Sequence, residues 1–184
     1  MKGELMDIVF DVDGTLMNIE HRVKYARRNL PELDALNYPV PNPDYDYDKF
    51  ESEIVNDTPN VEVFDIAIAL YEMGHDIIIA SGRKQKQQME TERMLSQVNI
   101  IFSDKANGMN RKPLTKHKYG FFWRASYFRY DDDNRKDFIV KEEMYEQMLE
   151  DGYDPKLVFD DRQEVVDMWR SKGIRVCQVA EGNF

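Results

Sequence analysis

The 184-residue chain has one cysteine, Cys177. No intrachain disulfide can form, and a zinc site built from several thiolates is excluded. Long apolar runs are missing too. The longest, Ile66–Tyr71, has six residues, far short of the roughly 20 that a membrane-spanning helix needs. Neither a G-x-x-x-x-G-K-[ST] phosphate loop nor a G-x-G-x-x-G fingerprint occurs, so ATPase, kinase and dinucleotide-binding readings lose their usual support. His21, His75 and His117 have no spacing that suggests a metal trio. Overall positive charge is absent as well. The formal net charge is −10, which argues against a sequence-blind coat for nucleic acid. Met1–Glu4 leads almost directly into a strand-like segment, so no removable leader is expected. With a single cysteine, a reducing, cytoplasmic setting with no membrane partner is the simple reading.

At 42% hydrophobic and 33% charged residues, the chain has the composition of one domain with a sizeable core. Short apolar strands alternate with amphipathic segments. Met6–Phe10 reads as a buried strand. Val61–Met73 carries apolar residues at helical spacing and stops at Gly74. Asp76–Ala80 holds Ile77, Ile78 and Ile79, a β-branched run suited to a central parallel strand. Lys84–Val98 reads as a helix and Asn99–Phe102 as a third strand. Asp137–Glu150 is helical, Lys156–Phe159 a fourth strand, Gln163–Lys172 a helix closed by Gly173, and Ile174–Val179 a fifth strand. Cys177, inside that last apolar run, is expected to be a buried, inert thiol. The alternation implies an α/β fold with a parallel sheet covered on both faces.

Two stretches fit this pattern poorly. Leu30–Asp57 holds four of the seven prolines and the run Asp44-Tyr45-Asp46-Tyr47-Asp48, and reads as a lid with little regular structure. Ser103–Asp133 is the second insertion. Between Lys105 and Arg129 there are seven Lys or Arg and no Asp or Glu, and the same window ends in Tyr119, Phe121, Phe122, Trp123, Tyr127 and Phe128. Cations for phosphates and flat rings for bases suit single-stranded nucleic acid. The plainer reading is a solvated loop feeding a hydrophobic element.

In parallel sheets of this kind the site lies beyond the carboxyl ends of the strands, and three such ends are polar. Asp11-Val12-Asp13-Gly14-Thr15 follows the first strand. One carboxylate of such a pair can attack phosphorus, and the other can protonate a leaving alkoxide and then deprotonate water. An anionic nucleophile and an anionic phosphate need a divalent cation between them. Ser81-Gly82-Arg83 closes the second strand and offers a hydroxyl, a backbone N–H and a guanidinium to phosphate oxygens. Asp160-Asp161-Arg162 closes the fourth, where a hard cation such as Mg2+ finds oxygen ligands; helix capping is the competing role. Asp137 and Lys141 lie four apart on one helix face, either as a surface pair or with Lys141 reaching the nucleophile.

With these motifs in this order, the chain resembles the haloacid dehalogenase (HAD)-like phosphotransferases. Within them it is similar to the 3′-phosphatase domain of the bacteriophage polynucleotide kinase/3′-phosphatases. The likeness runs nearly throughout Asp133–Phe184 and includes Arg22, eleven residues after Asp11. It implies a Rossmannoid three-layer sandwich over residues 1–184, standing alone, with lid-like insertions at about 18–57 and 103–133. It implies Asp11 as nucleophile and Asp13 as general acid–base. Mg2+ would be held by Asp11, the Asp13 carbonyl and Asp161, with Asp160 in support. Ser81 and Lys141 would contact the transferring phosphate. Arg22, Arg83 and Arg129 would bind substrate phosphates or order the site, with Asp137 positioning them; Thr15 and Gly82 join the substrate-binding positions.

The function so implied is a magnesium-dependent polynucleotide 3′-phosphatase acting on DNA or RNA ends, with a separate kinase or ligase as partner. Two rivals stand beside it: a phosphatase of nucleoside monophosphates or other small esters, and a non-enzymatic end-binding module with a vestigial pocket.

Overall fold

The computed structural model describes residues 4–26, 44–107 and 122–182. Five parallel strands form the central sheet in the order β5-β4-β1-β6-β7. In chain order these are β1 (Asp7–Phe10), β4 (Asp76–Lys84), β5 (Ala125–Arg129), β6 (Pro155–Asp160) and β7 (Arg175–Gln178). A two-stranded antiparallel ribbon, β2 (Met17–Asn18) with β3 (Thr58–Pro59), stands apart from it. The helices are α1 (Glu20–Val23), α2 (Tyr47–Ser52), α3 (Val61–Glu72), α4 (Gln88–Asn107), α5 (Asp137–Glu150) and α6 (Gln163–Ser171).

Alternation along the central strands divides the core in two. On one face Ile8, Phe10, Ile77 and Ile79 pack with Phe64, Ala67 and Ile68 of α3 and with Met94, Leu95 and Val98 of α4. On the other, Val9, Ile78, Ala80 and Val158 pack with Val140, Met144 and Met148 of α5 and with Val165, Met168 and Trp169 of α6. The three layers follow directly: β1 and β4 are buried on both sides and read as continuous apolar runs. Phe10 and Phe159 stack across β1 and β6 with centroids 4.4 Å apart. No helix among the described residues is long and apolar enough to cross a membrane.

Several expectations need correction. Asn99–Phe102 is not a strand; α4 runs on to Asn107. A short apolar run satisfies a helix and a strand equally, and here the preceding helix continues through it. The strand that fills this slot is β5, inside the stretch expected to be an insertion. Phe122, read as a base-stacking ring, is fully buried in the core and meets Phe64 edge-on at 5.1 Å. Trp123 packs against the same cluster. The basic residues Arg111, Lys112, Lys116 and Lys118 lie outside the described residues, as do Tyr119 and Phe121.

Lys84–Val98 divides differently from its reading. β4 continues through Lys84, a 3-10 turn covers Gln85–Gln87, and the helix starts at Gln88. The lid stretch is not irregular where it is described. Asp46 accepts a hydrogen bond from Lys49 N–H at 2.9 Å and caps α2, which passes into a 3-10 turn, Glu53–Asn56. Cys177 is exposed rather than buried, because β7 is an edge strand and its outer residues alternate between partial and full exposure.

Phe122→Ala removes a fully enclosed ring. It should lower stability by about 3–5 kcal/mol in urea denaturation; a loss under 1 kcal/mol would mean the ring is not part of this core.

Candidate active site

The polar ends of β1, β4 and β6 do converge. β1 ends at Phe10, and Asp11 N–H still donates to the Phe159 carbonyl at 3.0 Å. The chain then turns back on itself: Met17 N–H donates to the Val12 carbonyl at 2.8 Å, and Gly14 N–H to the Met17 carbonyl at 2.9 Å. Gly14 takes φ +79°, which a side chain disfavours. A methyl there would also overlap the Asp161 carboxylate, and so would one at Gly182. The Asn60 amide donates to the Thr15 carbonyl at 2.8 Å and fixes the turn from outside.

Asp11, Asp160 and Asp161 are 4%, 1% and 2% exposed, and each offers a carboxylate oxygen within 4.8 Å of the others. Lys141, brought by α5, donates to Asp11 Oδ1 at 2.6 Å and to Asp160 Oδ2 at 2.8 Å. Burial pushes Asp11 up well above the usual carboxylate range; Lys141 opposes the rise, while Asp160 and Asp161 add to it. Burial, then Asp160, pushes Asp161 up to about 7. Lys141 is raised despite burial, because Asp11 and Asp160 hold its charge. Three buried carboxylates served by one ammonium leave negative charge uncompensated. All-oxygen donors suit a hard divalent cation, so the residues present fit such an ion.

Asp13 shares the cleft with the trio but is held by a second set of partners. Its carboxylate receives Arg22 Nη2 at 2.8 Å and Arg83 Nε at 2.8 Å. Burial opposes its charge, but Arg83 and Arg22 prevail and hold it at about 2. Both arginines are also bound by Asp57, through Arg22 Nε at 2.7 Å and Arg83 Nη2 at 2.5 Å. Two guanidiniums and two carboxylates thus form one buried network. Arg83 reaches it because the β4–β5 register jumps between Ser81 and Lys84, a bulge that re-aims the side chain.

A third cluster lies alongside. Asp137 receives Arg129 on one oxygen and Arg162 on the other. Arg129 also donates to the Gly82 carbonyl at 2.9 Å. A Cβ at position 82 would crowd the Asp137 carboxylate at 3.1 Å.

One cleft of about 450 Å³ joins these groups; it is lined by Asp11, Asp13, Arg22, Arg83, Lys141 and Asp161, among others, a size suited to a small ligand. Gly82, Arg129 and Asp137 line it too. Thr15 and Ser81 are fully buried and lie outside the lining. Ser81 Oγ accepts from Arg83 N–H at 3.2 Å. Asp160 sits behind the lining, held by Lys141. Sequence reasoning missed Asp57, Asn60 and the Arg162–Asp137 contact. Asp57 just before β3 and Asn60 just after it carry no motif, and their partners are remote in sequence.

The parallel sheet and the acidic strand ends define a HAD-like phosphatase, a hydrolase. A family model described as the polynucleotide kinase PNKP phosphatase domain matches residues 42–184. The chain belongs to that family. Among solved structures, it is similar to a chain in the Pnkp1/Rnl/Hen1 RNA repair complex, with 24% identity and a TM-score of 0.66 over 98% of this chain and 44% of that one. A second structure of the Pnkp1/Rnl/Hen1 complex gives 23% identity and a TM-score of 0.67, covering 98% and 48%. The chain therefore spans less than half the length of these relatives. A hydrolase from Streptococcus pneumoniae TIGR4 matches at 13% identity and a TM-score of 0.55, covering 96% of this chain and 93% of that one. At these identities the solved structures show a shared fold.

Two measurements test the site. Asp57→Ala leaves Asp13 alone to compensate two buried guanidiniums and should cost about 3–5 kcal/mol in chemical denaturation, against little change if the network is incidental. Millimolar magnesium should raise the melting temperature of the wild-type protein through binding to the folded state, and Asp161→Asn should remove that rise. An unshifted wild-type melting curve would show that the trio holds no ion.

Proposed function

We propose that the protein is a magnesium-dependent polynucleotide 3′-phosphatase that removes a terminal 3′-phosphate from DNA or RNA ends. The observation that carries this reading is the Asp11–Asp160–Asp161 trio around Lys141, at the floor of a cleft, in a chain of the polynucleotide kinase phosphatase family. Asp11, Asp161 and Asp160 would hold the cation, together with the Asp13 carbonyl. When bound, the cation offsets the charge between an anionic nucleophile and an anionic phosphate.

The remaining chemistry belongs to the side chains. An oxygen of Asp11 attacks phosphorus, and the bond from phosphorus to the 3′-oxygen breaks. Asp13 gives its proton to that oxygen, leaving a 3′-hydroxyl and an aspartyl-phosphate. Without substrate Asp13 is ionised by its two arginines; an arriving phosphate dianion beside it raises its proton affinity, and Asp13 takes up the proton it later gives from solvent water. Asp13, now a carboxylate, takes a proton from water, the hydroxide attacks phosphorus, and Asp11 is released with inorganic phosphate. Lys141 keeps Asp11 oriented and steadies the charge on the transferring group. Arg22 and Arg83 order Asp13 and, with Arg129, attract substrate phosphate. Ser81, Thr15 and Gly82 act through the turns that shape the phosphate pocket.

The 1–184 chain would be one domain, with residues about 18–57 as a lid-like insertion; the stretch at about 103–133 instead contributes β5 to the central sheet. Its setting would be cytoplasmic, and a kinase or ligase would be its repair partner, as the RNA repair complexes of similar structures suggest. The intact trio speaks against a vestigial pocket. A phosphatase of nucleoside monophosphates is separated from the favoured reading by substrate length. Specificity constants should be highest on 3′-phosphorylated oligonucleotides and lower on 3′-mononucleotides, with DNA and RNA ends compared side by side. Asp11→Asn should abolish phosphate release on all of them by at least about a thousandfold, with circular dichroism unchanged. Substantial residual release would remove Asp11 as the nucleophile.

A further inference from the structure

The cleft has one wall that phosphate chemistry does not use. α2 and the residue pair before it present Tyr45, Tyr47 and Phe50 to the same space as Asp11. Phe50 is engaged: the Arg22 guanidinium lies 4.3 Å from its ring centre. The two tyrosines stay open, at 47% and 39% exposure, although they line a cleft. Exposed aromatics at the rim of a polar pocket are not there for core packing.

The wall is held in place. Asp46 caps α2, and Asp46 N–H donates to the Tyr25 carbonyl at 3.1 Å. Glu51 pairs with Lys86 at 2.7 Å, tying α2 to the turn after β4. The Tyr47 hydroxyl is bonded to Glu51, and its ring lies 5.4 Å from the Lys84 ammonium. Such rings have little rotamer freedom to lose when a ligand lands on them.

In-line attack by Asp11 sends the ester oxygen away from the buried carboxylates, toward the open side of the cleft that Tyr45 and Tyr47 help to line. For a leaving nucleoside, the group beyond the sugar is a flat π-system. Aromatic rings stack on any base without reading its edge. We propose that Tyr45 and Tyr47 form a stacking platform for the nucleobase of the 3′-terminal nucleotide, so that the enzyme takes an unpaired end whose last base is free to leave its duplex. This rests on the reading of the site as a polynucleotide 3′-phosphatase. It also moves the base contact expected of Phe122 to the opposite, N-terminal part of the chain.

The test uses two 3′-phosphorylated oligonucleotides, alike except that one ends in a base-bearing nucleotide and the other in an abasic one. Wild-type protein should prefer the first by about tenfold in kcat/KM, the worth of one stacked base. Tyr45→Ala/Tyr47→Ala should bring the two substrates to parity, chiefly through KM, and Tyr45→Phe/Tyr47→Phe should keep the preference. Independently, Asp11→Asn protein should quench a 3′-terminal 2-aminopurine, and the quench should vanish when both tyrosines are alanine. Equal losses on both substrates, or quenching that survives the alanines, would overturn the platform. If wild-type protein releases phosphate from neither oligonucleotide, the 3′-phosphatase reading fails, and the quench alone decides whether the rings bind a base.

Discussion

The position of one buried ammonium governs the rest of the site. Lys141 stands between Asp11 and Asp160, two carboxylates that cannot both stay ionised in the interior without a cation. Its placement is a packing result. The residues flanking it on α5, Val140 and Met144, dock in the same apolar layer as Ile78 of β4 and Trp169 of α6. A change that shifts α5 across the sheet therefore moves a charge as well as a methyl group. Stability of the second core layer and the placement of Lys141 against Asp11 are set by the same contacts.

Charge compensation elsewhere in the cleft follows the same rule at different scale. Arg22 and Arg83 face Asp13 and Asp57; Arg129 and Arg162 face Asp137. Each cluster gathers groups from separate strands and helices, so none forms before the sheet does. The bulge in β4 and the close approach at Gly82 are what bring the second and third clusters to the edge where the acidic trio already lies.

The sequence disclosed the acidic corners because each is local: Asp11 and Asp13 flank one residue after an apolar strand, and Asp160 and Asp161 end another. The layered fold was equally legible, since β-branched runs such as Ile77–Ile79 alternate with amphipathic helical segments, the pattern of a parallel sheet covered on both faces. Asp57 escaped because its value lies in partners 35 and 26 residues away, and no spacing rule marks such a pair. β5 escaped because Ala125–Arg129 mixes small, aromatic and charged residues, as an edge strand allows, while Asn99–Phe102 carried the stronger apolar run inside a helix. The aromatic residues after Lys105 looked like ligand contacts by composition, yet Phe122 answers to the core. Only burial separates those roles.

The clusters have an effect on what happens after chemistry. Arg22, Arg83, Arg129, Arg162 and Lys141 are each already joined to a carboxylate. Under the proposed reaction, liberated phosphate would lose little by departing, since each of these cations has an internal counterion to return to. A pocket of bare cations would grip a product; in this one the protein's own acids would compete for the seat the product vacates.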